Sequence, residues 1–139
     1  MEKWFATFGK KGLQKTEFAK RLVDRFPDIK SIVQNINPTH GNKVLGDENI
    51  VLWGEDGITD VLGGLEFKIS ATAFYQVNPV QTLILYKKAV GYAGLSGKEK
   101  ALDVYCGVGT LTLFLARRAL EAYGIEANKN AIEDATANA

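Results

Sequence analysis

The sequence predicts an α/β chain in two parts, a small mixed α+β domain over residues 1–72 and the opening of a parallel α/β domain over residues 73–139. Three features carry that reading. Leu102 and Val104 suit a buried parallel strand, which runs into the glycine turn Gly107-Val108-Gly109 and then a helix opening at Thr110. A second short strand, Ala122-Tyr123-Gly124-Ile125, ends in an acid, Glu126. Upstream of residue 72, short apolar runs punctuated by glycine and proline mark a β-rich region.

Taken in order, residues 3–8 alternate enough to form a first strand. Gly9-Lys10-Lys11-Gly12 follows as a basic loop, read as a solvated turn or a phosphate contact. Thr16 caps a helix with Glu17 in its first turn, and Phe18, Leu22 and Phe26 form its apolar stripe. Pro27 stops that helix, because the residue before a proline disfavours the α region. Residues 29–36 return as a strand. The following loop carries the one histidine, His40, with no carboxylate or cysteine cluster beside it, and it is assigned no role. Short strands are predicted at 43–45 and 50–53, and the pair 58–62 and 65–69 flanks Gly63-Gly64, a two-residue hairpin signal. Asn78-Pro79 opens a helix with proline in its first turn, with Val80, Leu83, Ile84 and Val90 as its stripe. The helix predicted from Thr110 carries Leu111, Phe114 and Leu115 at helical spacing, and a last helix begins near Asn130.

Strand, glycine loop, helix, strand and terminal acid make the first half of a nucleotide-binding βαβ unit. Gly107 and Gly109 let backbone N–H groups approach a ligand, and Glu126 can accept hydrogen bonds from ribose hydroxyls. A dinucleotide site wants a third glycine, where a helix packs closely beside a pyrophosphate; Leu111-Thr112 stands there instead. With Asp103 ahead of the loop, the pattern fits adenosine without pyrophosphate, namely S-adenosyl-L-methionine. A purely structural tight turn would use the same glycines. Asp103 either anchors the loop amides or meets the cofactor's amino group. Tyr105 is either strand-end core or a ring against the cofactor, and Thr110 begins as a helix-cap hydroxyl. Gln76 by itself reads as an amide satisfying loop backbone groups.

The run Leu102-Asp103-Val104-Tyr105-Cys106-Gly107-Val108-Gly109-Thr110 strongly resembles the cofactor motif of the RNA 5-methyluridine methyltransferases. Phe74-Tyr75-Gln76-Val77-Asn78-Pro79 resembles the same family's second signature, and 31–37 and Gly46-Asp47-Glu48 also look like family sequence. The resemblance runs from about Thr16 onward. It implies a Rossmann-like methyltransferase domain over 73–139 and, over 1–72, the central domain that helps hold RNA. It also implies cofactor contacts from Gln76 and Thr110. In the family a cysteine thiolate adds to carbon 6 of uracil, carbon 5 then takes the methyl group, and a base removes the carbon 5 proton. Both catalytic residues lie beyond the two motifs and have no matching position here, so no catalytic residue is nominated. Cys106 sits in the glycine turn and reads as a small packing residue.

Composition sets the remaining bounds. With 17 basic and 16 acidic residues the net charge is +1, which shows no polyanion footprint in the totals. A single cysteine excludes an internal disulfide framework and an iron–sulfur cluster built from this chain, and no metal site is expected. No apolar run approaches the ~20 residues that span a bilayer, so a cytoplasmic chain is expected. Two parallel strands with one complete helix leave a sheet face uncovered. Leu102, Val104, Ile125 and Ile132 are therefore expected to expose apolar surface unless something covers them, self-association included. The leading reading is an S-adenosylmethionine-dependent uracil-C5 methyltransferase of ribosomal or transfer RNA, with half of its cofactor site here. The alternatives are a non-catalytic fragment or rebuilt chain, and a nicotinamide-dependent dehydrogenase.

Overall fold

A computed structural model describes residues 15–38 and 44–139 and the backbone of 3–8. The basic loop at 9–12, His40, Lys43 and the side chains of 3–8 lie outside the described residues. The chain is α/β and divides into two compact units, Met1–Thr59 and Asp60–Ala139.

In the first unit β1 (Lys3–Phe8), α1 (Lys15–Arg25) and β2 (Ile29–Ile36) form a β-α-β run, and β3 (Glu48–Gly54) completes a sheet ordered β1-β2-β3. β1 pairs with β2 in parallel and β2 with β3 antiparallel. Its core is Ala19, Ile29 and Ile32, with Leu22, Val23 and Leu52 packed against them. The predicted stripe of α1 is therefore displaced: Phe18 and Phe26 are exposed, and the buried face runs through Ala19, Leu22 and Val23. Spacing of four residues drifts away from a 3.6-residue period, whereas 19, 22 and 23 stay on one face.

The strand expected at 43–45 is absent at its described residues, Val44 and Leu45. The buried Asn35 amide takes up the neighbouring backbone groups instead. Its Oδ1 accepts from the Gly46 N–H at 2.7 Å, while Nδ2 donates to the Gly46 carbonyl at 2.9 Å and to Asn49 Oδ1 at 2.8 Å. One side chain thereby substitutes for a strand partner, a common use of asparagine beside a turn.

In the second unit β4 (Gly57–Leu62), within which the division falls, pairs with β5 (Leu65–Ser70). Gly63 and Gly64 form their turn with φ of 60° and 76°, the left-handed pair that a two-residue hairpin requires. α2 (Pro79–Ala93) starts at Asn78, whose Oδ1 accepts from the Gln81 N–H at 3.0 Å, with Pro79 in the first turn. Its inner face also differs from expectation. Thr82 and Tyr86 are buried, whereas Val80 and Ile84 are exposed. Thr82 can face inward because its hydroxyl donates to the Asn78 carbonyl at 2.7 Å.

β6 (Lys100–Val104), α3 (Thr110–Ala116), β7 (Glu121–Ile125) and α4 (Lys129–Asn138) complete the unit, with β6 and β7 parallel. α4 is fastened to β5 by side chains: Asn138 accepts from the Lys68 N–H at 2.7 Å and donates to the Lys68 carbonyl at 3.0 Å, and Asp134 accepts from the Ser70 N–H at 2.8 Å. Asn138 also donates to the Val108 carbonyl at 3.0 Å, which ties α4 to the glycine turn. One face of the β6–β7 pair is apolar and uncovered within this unit. Leu102 and Tyr123 are cross-strand partners, as are Val104 and Ile125, and all four are between 51% and 58% exposed. Ile132, expected among them, is half-buried. Among the described residues no helix is long and apolar enough to cross a membrane.

Candidate nucleotide-binding site

A pocket of about 160 Å³ opens where the chain leaves β6. Five of the sequence-predicted residues line it: Gln76, Asp103, Tyr105, Gly107 and Thr110. Phe74 and Tyr75 join them from the segment before α2, and Tyr86 from within that helix. Glu126 and Gly109 do not line it. Glu126 is bonded to the Gly107 N–H of the glycine turn, and Gly109 faces α4, where an added Cβ would lie 3.4 Å from the Ala135 Cβ.

Tyr105 has φ +67°, the one described non-glycine residue in the left-handed region. For an L-residue that conformation costs about 1–2 kcal/mol. The backbone is held there by two hydrogen bonds, from the Tyr105 and Cys106 N–H groups to the Ile125 carbonyl at 2.8 and 3.0 Å. The bend turns the ring out at the pocket, 84% exposed, so the strand-end core reading does not hold. Strain of this kind gathers at ligand sites. Tyr105→Gly is expected to leave the denaturant midpoint within about 1 kcal/mol of the parent, relief of φ offsetting the entropy of glycine, while Tyr105→Val, which adds β-branching to the left-handed backbone, is expected to be less stable than both. Equal losses in both variants would show that the left-handed backbone is not strained.

Thr110 does not cap α3; the cap position is Gly109, with no side-chain bond. Its buried hydroxyl meets the Tyr86 hydroxyl at 2.9 Å, and the Tyr86 ring stands edge-on to Phe114 with centroids 5.5 Å apart. Tyr86 was invisible in the sequence, because an aromatic in mid-helix reads as core. Asp103 does not anchor the loop amides. Its Oδ2 accepts from the Thr112 hydroxyl at 2.7 Å, leaving Oδ1 for a ligand's donor. Burial and the charge of Asp60 push the Tyr75 hydroxyl up, so it remains a protonated hydroxyl at neutral pH.

Glu126 organises the turn. One oxygen accepts from the Gly107 N–H at 3.0 Å, and the other from the Ala127 and Asn128 N–H groups, both at 2.8 Å. Donation from the Asn128 and then the Gly107 backbone holds its carboxyl below the usual carboxylate range. Cys106 is buried, with Sγ placed so that a Cβ on Gly124 would come within 2.7 Å of it. Burial, with the charges of Asp103 and Glu126, pushes its thiol up, which is the opposite of nucleophile activation. It is a packing residue.

The donor set fits an adenosine ligand. Phe74 and Tyr105 present exposed rings, Gln76 an amide, Asp103 a carboxylate oxygen, and Gly107 a cradle. A Cβ on Gly107 would point into the gap towards the Phe74 carbonyl, 3.9 Å away, and begin to fill the pocket. At about 160 Å³ the pocket is smaller than the ~300 Å³ at which enclosing small-molecule sites begin. It has room for part of such a ligand.

These elements have the order of the opening of a nucleotide-binding α/β domain, a class whose sites lie at the carboxyl ends of the parallel strands. No protein-family model matches the chain. An uncharacterized RNA methyltransferase of Oceanobacillus iheyensis is 49% identical over 135 residues, which is 97% of this chain and 29% of that protein. One of Halalkalibacterium halodurans is 47% identical over 133 residues, 96% of this chain and 29% of that protein. Among solved structures, the Pyrococcus abyssi tRNA (uracil-54, C5)-methyltransferase in complex with S-adenosyl-L-homocysteine matches with a TM-score of 0.68 at 28% identity. The match covers 96% of this chain and 31% of that one. Over nearly its whole length the chain is thus similar to proteins named as RNA methyltransferases, and it spans less than a third of the length of the curated relatives it matches.

Proposed function

We propose that this chain is the cofactor-side portion of an S-adenosyl-L-methionine-dependent methyltransferase acting on carbon 5 of uracil in RNA. The observation that carries the reading is the convergence of Gln76, Asp103, Tyr105, Gly107 and Thr110, drawn from two separate motifs, on one pocket. Bound there, S-adenosylmethionine supplies an electrophilic methyl group. Phe74 and Tyr105 sandwich or flank the adenosine, Gly107 lets the backbone approach it, and Glu126 holds the turn and receives a ribose hydroxyl. Asp103 and Gln76 take the cofactor's polar groups, and Gly109 keeps the turn close to α4. Residues 73–139 hold the cofactor, and 1–72 contribute to holding RNA, transfer or ribosomal, in the cytosol. The thiolate and base that uracil-C5 transfer requires come from outside these residues, so the chain by itself binds without turning over. The apolar face of β6–β7 supports self-association when nothing else covers it.

Calorimetric titration with S-adenosylhomocysteine is the test. Saturable binding is expected, with no competition from a nicotinamide dinucleotide. Absence of heat at millimolar ligand would overturn the reading and leave a non-catalytic relic of the fold. Preference for the dinucleotide would move the chain to a dehydrogenase class.

A further inference from the structure

A second and larger cavity, about 780 Å³, lies between α2 and α3 and against the β4–β5 turn. We propose that this groove is a phosphate-backbone site for RNA, separate from the cofactor pocket. The inference rests on the RNA methyltransferase reading for the identity of its polyanion.

The groove combines apolar walls, Leu83, Val90 and Phe114, with three cations, Lys87, Arg117 and Arg118, and no acidic side chain lines it. In a chain with 17 basic and 16 acidic residues, that is a local concentration of charge rather than a general excess. The three cations are not equivalent. Arg117 donates to the Gly63 and Gly64 carbonyls at 3.0 and 3.2 Å and lies 5.9 Å from the Phe114 ring centroid. It fixes the hairpin turn as one wall. That wall is seated without a gap, since a Cβ on Gly63 would come 2.6 Å from Phe114. Lys87 and Arg118 are exposed, and among the described residues neither side chain has a hydrogen-bond or ion-pair partner. Two unpartnered cations beside apolar walls fit a phosphodiester with its sugar against Leu83 and Val90.

The groove and the cofactor pocket stand back to back. Phe114 lines the groove and packs edge-on against Tyr86, which lines the pocket and bonds Thr110 there. RNA held in the groove would therefore meet the same two helices that hold the cofactor.

The test is fluorescence anisotropy of the chain with a short labelled single-stranded RNA across a salt series, beside a titration with S-adenosylhomocysteine. Lys87→Gln/Arg118→Gln is expected to weaken RNA binding at least tenfold. It should also lower the slope of log affinity against log salt by about 1.4, two single-strand phosphate contacts at ~0.7 each. Lys129→Gln, a cation of α4 paired with Glu133 at 3.9 Å, serves as the charge control and should leave both unchanged. S-adenosylhomocysteine binding should survive in every variant. Unchanged RNA affinity and slope in the double variant would overturn the groove. So would displacement of RNA by inorganic phosphate at equal concentration, which would make it a simple anion site. Cofactor binding without any RNA binding would sink the groove and leave the cofactor reading standing. RNA binding lost in the double variant, in a chain that binds no S-adenosylhomocysteine, would uphold the groove and sink the cofactor reading.

Discussion

Gly46→Ala is expected to destabilise the first unit by more than about 3 kcal/mol, the range reserved for backbone collisions and broken buried networks. A Cβ built on Gly46 would overlap the Ile36 carbonyl oxygen and lie 2.6 Å from the Ile36 carbonyl carbon and 2.7 Å from the Asn37 Cα. All three are backbone atoms at the carboxyl end of β2, so no flexible side chain can swing away. Nor can Gly46 retreat freely. The Asn35 amide holds its N–H at 2.7 Å and its carbonyl at 2.9 Å, and Asn35 is itself buried. Moving Gly46 by the ångström or more that a methyl needs breaks both bonds, and each buried polar group left unpaired costs about 1–3 kcal/mol. Urea denaturation followed by tryptophan fluorescence reports on this unit, because both tryptophans, Trp4 and Trp53, lie in it. A midpoint shift equivalent to less than 1 kcal/mol would mean that the close approach does not exist in solution.

Glycine and proline made much of this fold legible. The hairpin at Gly63-Gly64, the start of α2 at Asn78-Pro79 and the turn after β6 were read from residues whose backbone chemistry admits few alternatives. The strands at 29–36 and 65–69 were equally plain from their apolar content. Helix faces were not. In α2 the apolar residues are spread around the axis, so counting them could not reveal that a threonine and a tyrosine point inward. The vanished strand at 43–45 failed for a different reason. A side chain, Asn35, holds the N–H and carbonyl of the adjoining Gly46, and no propensity scale sees a partner eleven residues away.

The candidate site was legible where residues act through type and not where they act through conformation. Gly107, Asp103 and Gln76 could be singled out from motif and spacing, and they line one pocket. The left-handed backbone of Tyr105 leaves no trace in the sequence, because the residue is an ordinary aromatic and the conformation is held by hydrogen bonds from its own N–H and that of Cys106 to the Ile125 carbonyl. Tyr86 needed the packing of α2 on α3 to bring its hydroxyl to Thr110. Glu126 was read as a ligand contact; its geometry adds that it is first a brace for the glycine turn.

Glu126→Ala is expected to weaken S-adenosylhomocysteine binding at least tenfold, about 1.4 kcal/mol, through both of those roles. A carboxylate offers about four lone-pair directions, and three are taken by the Gly107, Ala127 and Asn128 N–H groups. One direction remains for a ribose hydroxyl, on the oxygen that already holds Gly107. Removing the carboxylate therefore loses an acceptor and releases the residue that walls the pocket. Glu126→Gln separates these effects poorly but informatively. Its amide nitrogen would face N–H donors, so it should bind nearly as weakly as the alanine variant. The pH dependence has a definite sign. Hydrogen bonds from Asn128 and Gly107 stabilise the ionised form and lower the folded-state value. The carboxylate's contribution is thus fully present above its unfolded value of about 4.3 and lost only as pH falls through the lower folded value. Binding measured calorimetrically should stay flat from pH 8 down to about 5 in the parent chain and be weak and equally flat in the alanine variant. A fall in parental affinity already at pH 6 would assign the ribose contact to another group, and Glu126 would keep only the turn.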